Sequence, residues 1–187
     1  AWASMMKILL TGVTGFIGRN LKEIWSKRYD LYTPPRQELD LLDAGAVEAY
    51  LRENLFDVVL HNANTNHVAH PEREGHVLEY NLRMFCNLKR CRGLYGRLYY
   101  FGSGAEYDMR HYIPSMRESY FGTHVPQDPY GFSKYLMSSL ATGNIYDLRL
   151  FGVFGKYEEW RRRFISNMIY RNLTGQTMGM NQNMYFD

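Results

Sequence analysis

The chain has 187 residues, 45% of them hydrophobic and 22% charged, with a formal net charge of +3. That length buries one good-sized core and does not suggest two complete domains. No apolar run approaches the roughly 20 residues of a membrane span, and the mild basic excess falls short of a nucleic-acid binder's cationic stripe, so neither membrane nor nucleic acid is an expected partner.

Taken in chain order, strand-like and helix-like segments alternate, as an α/β domain requires. Ala1-Trp-Ala-Ser4 reads as a cloning remnant, with Met5 or Met6 the natural start. Leu9-Leu10 is too short for a signal-peptide core, so a cytoplasmic protein is expected. A buried strand is predicted near 6–11 and a helix near 16–27, separated by Gly12, Gly15 and Gly18. Gly12 suits a tight turn, Gly15 lets backbone N–H groups approach a pyrophosphate, and Gly18 lets helix and strand pack closely. The helix start then offers unpaired donors and a positive dipole end to an anion. This G-x-x-G-x-x-G spacing differs from the commoner G-x-G-x-x-G, and either pattern alone also fits a plain turn.

The second strand is predicted near 29–33. Dinucleotide sites selective for NAD usually end this strand in an acidic residue, which binds the ribose 2′-hydroxyl. Here Tyr32-Thr-Pro-Pro-Arg36 has none. Arg36 suits the 2′-phosphate of NADP, since guanidinium matches phosphate geometry; a solvent-exposed loop arginine is the alternative. NADP(H) is the preferred cofactor and NAD(H) remains possible.

Helices are predicted near 44–53 and 75–93, with a strand near 56–61 between them. Cys86 and Cys91, the only cysteines, have neither metal spacing nor a C-x-x-C arrangement and read as reduced, partly buried thiols. His61, His67 and His70 lie near a strand end but give no ligand pattern, so no metal is expected.

A strand near 97–102 leads to Ser103, whose hydroxyl is placed to hold a substrate oxygen. Residues 104–128, with Pro114 and Pro126, form a connection long enough to act as a lid. Glu106 lies within reach of the site, either as an acid or in a structural salt bridge. A helix near 130–142 carries Tyr130 and Lys134, four residues apart and so on one face. A phenol is a poor acid at neutral pH, and a neighbouring ammonium lowers its pKa, so this pair makes a workable proton donor. A surface helix pair is the bland alternative. A strand near 146–151 and a helix near 158–173 complete the pattern. Arg161-Arg-Arg163 either attracts anionic ligands or is a solvated face balanced by Glu158 and Glu159.

The segments Thr11-Gly-Val-Thr-Gly-Phe-Ile-Gly18, Asp57-Val-Val-Leu-His-Asn-Ala63, Asn81, Ser103-Gly-Ala-Glu-Tyr107, Tyr130-Gly-Phe-Ser-Lys134 and Leu148-Arg-Leu-Phe151 together resemble the extended branch of the short-chain dehydrogenase/reductase superfamily. That branch holds nucleotide-sugar epimerases, dehydratases and keto-reductases. The resemblance implies a Rossmann-type doubly wound parallel sheet with helices on both faces, followed by a smaller substrate domain. It places the dinucleotide domain at 5–175 and the start of a substrate domain, largely absent from this chain, at 176–187. It implies a catalytic set of Ser103, Tyr130 and Lys134. Cofactor contacts are implied for Gly12, Gly15, Phe16, Ile17, Gly18, Arg36, Asp40, Leu41, Asn62, Ala63, Asn81, Tyr130 and Lys134. Asn81 matches a supporting position in the family and reads equally as a helix-capping amide; Asp40 reads also as a helix cap before Val47.

Gly104 and Ala105 follow Ser103 where dehydratases carry an Asp-Glu pair, so water elimination is not expected. What the resemblance leaves is hydride transfer at C4 of a nucleotide-diphosphate sugar, by an NADPH-type keto-reductase or an NAD-dependent 4-epimerase. A non-catalytic dinucleotide sensor or scaffold is a further alternative. The helices near 75–93 and 130–142 resemble those that form a four-helix bundle between family members, so a homodimer is expected; Tyr80, Met84, Phe85, Tyr135 and Met137 fit either that interface or the core.

Overall fold

Largely apolar runs of three to seven residues become the strands of a computed structural model that describes residues 5–65 and 71–179. His67 and His70 lie outside the described residues. The chain runs β1 (Lys7–Leu10), α1 (Phe16–Trp25), β2 (Asp30–Tyr32), α2 (Ala44–Asn54), β3 (Val58–His61), α3 (Val77–Arg90), β4 (Arg97–Ser103), α4 (Pro129–Leu140), β5 (Ile145–Leu150) and α5 (Phe164–Leu173). The strands form one sheet in the order β2-β1-β3-β4-β5. All pairings are parallel, with Leu9 opposite Tyr32 and Val59, Leu60 opposite Tyr99, and Ser103 opposite Leu150. This is the expected doubly wound α/β sheet.

The core forms where helix stripes meet the strands. Leu9, Val59, Leu98 and Tyr100 from the sheet pack with Val47 and Leu51 of α2, Phe85 and Leu88 of α3, and Met137 of α4. Each is almost fully buried, a gain of about 1.5–3 kcal/mol per large side chain against leaving it in water. Met84, Phe85 and Met137 therefore belong to the core of this chain. Tyr80 stacks on His76 and Tyr135 on Phe121, both with ring centres 5.0 Å apart.

Three expectations need correction. The last helix begins at Phe164, not 158: Tyr157 takes a left-handed φ of 71°, and the following turn lays Trp160 flat on Tyr170 at 3.6 Å. Stacking in that turn outweighs the helix propensity of the Glu-Glu-Trp-Arg run. The helix near 75–93 is shorter, Val77–Arg90, behind a 3₁₀ segment Pro71–His76. Cys86 is exposed, whereas Cys91 is buried. Among the described residues no helix is long and apolar enough to cross a membrane, and no cluster of His, Cys, Asp or Glu could hold a metal ion.

Candidate active site at the carboxyl edge of the sheet

The strand order reverses between β1 and β3, which are parallel neighbours with connections leading to opposite sides. Ligands of open α/β sheets bind in the crevice outside such a switch point. Here it is built from glycine. Gly12 has φ +68°, and a Cβ on it would come within 2.6 Å of the Ala63 nitrogen and 2.8 Å of the Asn62 carbonyl carbon. A Cβ on Gly18 would come within 2.2 Å of the Gly12 oxygen and 2.7 Å of the Asn62 amide nitrogen. Close approach of the two loops thus demands both glycines. Gly15 is different: the nearest atom to an added Cβ is 3.6 Å away, and the residue caps α1 with no side-chain bond. The first turn of α1, from Phe16 through Ile17, also contains no acidic residue. Its N–H groups and dipole end can therefore receive an anion.

Asn62 ties the two loops together, donating from its side chain to the Gly12 carbonyl at 2.8 Å. Thr11, absent from the expected site residues, is the node behind them. Its hydroxyl oxygen accepts the N–H groups of Asn62 at 3.1 Å and Ala63 at 3.0 Å and lies 3.1 Å from Nδ1 of buried His61.

The catalytic candidates converge from β4 and α4. Asp128 caps α4 by accepting the Gly131 N–H at 2.7 Å, and Pro129 opens the first turn, an arrangement that starts a helix firmly. Gly131 seats that first turn against the 3₁₀ turn Gly104–Tyr107, because a Cβ there would lie 2.9 Å from the Ala105 oxygen. Ser103, the last residue of β4, consequently shares a hydrogen bond with the Tyr130 phenol. Lys134 is 5% exposed; its Nζ donates to the Phe101 carbonyl at 2.7 Å and stands 5.8 Å from the centre of the Tyr130 ring.

The electrostatics differ from the simple expectation. Burial pushes the Tyr130 phenol up, and the hydrogen bond to Ser103 is the chief influence pulling it back. The Lys134 ammonium, directed at Phe101, is not the group that lowers it. Burial in turn pulls Lys134 down to about 8, against the opposing pull of Glu106 and Asp147. A buried ammonium with a pKa near neutrality and a protonated phenol are suited to proton transfer.

Other expected residues sit as follows. Asn81 lies within α3 rather than at its cap and is 2% exposed. Its amide accepts from the Thr65 N–H at 2.7 Å and donates to the Thr65 carbonyl at 2.9 Å and Ser133 Oγ at 3.3 Å. Ser133 then donates to the Tyr130 carbonyl at 2.7 Å, so Asn81 acts on Tyr130 through this chain of bonds. Arg36 is exposed and pairs with Asp40 at 3.2 Å, while the other Asp40 oxygen accepts the Leu42 N–H at 3.0 Å. Asp43, not Asp40, caps α2. Leu41 is buried in the core, its carbonyl accepting from Asn87 at 2.9 Å. Of the arginine run, Arg161 and Arg163 lie 3.6 and 3.9 Å from Glu159 and the largely buried Glu158 side chain.

Two curated proteins align with part of the chain. GDP-L-colitose synthase of Yersinia pseudotuberculosis is 42% identical over 59 residues, which are 31% of this chain and 19% of that protein. GDP-L-fucose synthase of Azorhizobium caulinodans is 43% identical over 58 residues, 30% of this chain and 19% of that protein. The aligned stretch is thus about a fifth of these relatives' length. Among solved structures, MlghC, the GDP-mannoheptose C4 reductase from Campylobacter jejuni with NADP bound, superposes with a TM-score of 0.76 at 22% identity, over 94% of this chain and 63% of that one. A GDP-6-OMe-4-keto-L-xylo-heptose reductase from C. jejuni gives 0.74 at 23% identity, over 84% and 49%. These likenesses show a shared fold. Over residues 8–185 the sequence matches the model of one family, and on that match the chain belongs to the NAD dependent epimerase/dehydratase family.

Proposed function

We propose that this chain is the dinucleotide-holding part of an oxidoreductase that reduces a keto group at C4 of a nucleotide-diphosphate sugar with NADP(H). One observation carries the reading: at the carboxyl edge of the sheet a glycine cradle with helix N–H groups follows β1, and Ser103 ends β4, two strands along, with Tyr130 and Lys134 brought to it by α4. The names of the two curated relatives, both GDP-sugar synthases, support a nucleotide-linked sugar as substrate.

Gly12, Gly15 and Gly18, with the opening N–H groups of α1 at Phe16 and Ile17, would hold the pyrophosphate, and Arg36 would meet the 2′-phosphate. When bound, the nicotinamide supplies hydride to the keto carbon. Tyr130 Oη keeps its proton, because burial raises its pKa, and releases it to the substrate oxygen as negative charge develops there. Ser103 Oγ hydrogen-bonds that same oxygen. The Lys134 ammonium would hold the nicotinamide ribose. General acid catalysis of this kind contributes about 10²–10⁴-fold. Tyr130→Phe, in a form extended to the relatives' length, should therefore lose turnover by at least that factor while still binding NADPH; undiminished turnover would remove Tyr130 from the role.

An NAD-dependent 4-epimerase is the second reading, favoured by the pairing of Arg36 with Asp40, which a 2′-phosphate must displace. Calorimetric titration of this chain with NADPH and NADH side by side separates the two. Arg36→Ala should weaken NADPH about 10- to 100-fold, the worth of a charge-assisted bond, and leave NADH unchanged. The presence of both Tyr130 and Lys134 argues against a sensor that only binds dinucleotide.

A further inference from the structure

Behind Ser103 lies a group of charges that the reaction above does not use. Glu106 is fully buried; one carboxyl oxygen accepts the Ser103 N–H at 2.9 Å and the other accepts Arg149 Nε at 2.9 Å. Arg149 Nε also lies 3.3 Å from Asp147 Oδ2. The remaining guanidinium nitrogens are engaged elsewhere: Nη1 donates to the Tyr107 hydroxyl at 3.0 Å and Nη2 to Ser138 Oγ of α4 at 2.9 Å. Two carboxyl groups thus stand at a single N–H, which donates to Glu106. Both oxygens of Asp147 are buried and without a hydrogen-bond donor of good geometry. Gly102 explains how the two acids come so close. A Cβ there would fall 2.0 Å from Asp147 Oδ1 and 2.4 Å from Glu106 Oε1, so both carboxyl groups crowd the space that a side chain would fill.

Buried acceptors without donors cost about 1–3 kcal/mol each, and two adjacent carboxylates cannot both ionise at that cost. A single proton between them resolves both problems, since it removes one charge and supplies an O–H donor. We propose that Glu106 and Asp147 share one proton and that this acid pair, anchored by Arg149, is the positioning device for Ser103. The groups facing the pair are Tyr100 of β4, Arg149 of β5, Tyr130 and Lys134 of α4, and Tyr107, Tyr112 and Glu118 of the loop. Burial and Asp147 push the Glu106 carboxyl up to about 7, in keeping with a proton retained near neutrality. Loss of that proton leaves a second negative charge beside Ser103, and the Ser103 N–H senses the change directly through Glu106 Oε1.

The test needs no ligand, so its outcome is independent of the oxidoreductase reading. Infrared spectra of this chain should show a protonated carboxyl C=O band at pH 6 that titrates away near neutrality. The backbone ¹⁵N–¹H signal of Ser103 should move with the same midpoint. In Asp147→Asn the like charge is gone, so the band at pH 6 should shrink to about half or less. The Ser103 midpoint should fall by about one pH unit or more, as for strongly interacting sites. Glu106→Gln should abolish both signals; Asp147→Asn, which keeps shape and supplies a donor, preserves the test if that variant fails to fold. No carboxyl band in the unaltered chain, or a band and a Ser103 midpoint unchanged in Asp147→Asn, would overturn the proposal.

Discussion

The Thr11 hydroxyl accepts two N–H groups, from Asn62 and Ala63, while facing His61 Nδ1. With both lone pairs engaged, its own proton goes to Nδ1, which assigns His61 as the neutral tautomer carrying hydrogen on Nε2. Thr11→Val keeps the shape and strands both N–H groups. It should destabilise the chain by about 2–4 kcal/mol, whereas Thr11→Ser should cost only about 1 kcal/mol for the lost methyl group; urea unfolding of the two variants checks this. The glycines separate folding from binding in a similar way. Gly18→Ala drives a Cβ into the Gly12 carbonyl and within 2.8 Å of Val13 Cα, backbone atoms that cannot swing aside. A loss of about 1–3 kcal/mol is expected from such overpacking. Gly15→Ala makes only an ordinary van der Waals contact, 3.6 Å from the Gly12 oxygen, and should unfold like the parent, yet bind dinucleotide more weakly because its Cβ would stand at the N–H groups proposed for the pyrophosphate. Thermal melts beside calorimetric titration distinguish the two outcomes. Equal loss of stability in both variants would contradict this division of labour.

At the scale of elements, Asn81 is the bracket between the loop after β3, helix α3 and the first turn of α4. Asn81→Leu removes the partners of both the Thr65 N–H and its carbonyl and should cost about 2–4 kcal/mol, with faster hydrogen exchange at the Thr65 amide as its local signature. Much of the element order was legible because most strands are short apolar runs, with the glycine turn directly after the first and Ser103 closing the fourth. The glycine spacing and the Tyr130/Lys134 pair could be read from adjacent residues. What was not legible depends on residues distant in sequence. The Trp160–Tyr170 stack cuts short the last helix, although Glu158 to Arg163 alone favours helix. Leu41, matched to a cofactor contact, packs into the core through a meeting with α3 that no local pattern reveals. The carboxyl pair exists only because parallel pairing sets Gly102 opposite Arg149 and Ser103 opposite Leu150, bringing residues 106 and 147 together. Thr11 left a faint signal, a polar residue closing an apolar strand, that was equally consistent with an ordinary strand end.

For the whole molecule, two buried groups near the site, His61 and Glu106, act on stability in opposite directions. Burial lowers His61 to about 3. The unfolded chain therefore binds a proton near pH 6.5 that the native chain refuses, and stability contributed by His61 falls as pH drops from about 6.5 towards 3. Glu106 is raised to about 7. The native chain keeps a proton that the unfolded chain releases near 4.5, so this stability is full below about 4.5 and is lost as pH rises through 7. A full one-proton difference is worth about 1.4 kcal/mol per pH unit, so between about pH 4.5 and 6.5 the two slopes should nearly cancel. Removing one should expose the other. Glu106→Gln, whatever its absolute stability, should turn a nearly flat profile across that interval into one that climbs with pH. The measurement is the slope of unfolding free energy from urea titrations at several pH values, which is insensitive to any constant loss from the broken Arg149 contact. A profile in Glu106→Gln that stays flat would mean that Glu106 ionises in the native chain at an ordinary pH, and the acid pair would then have no retained proton to share.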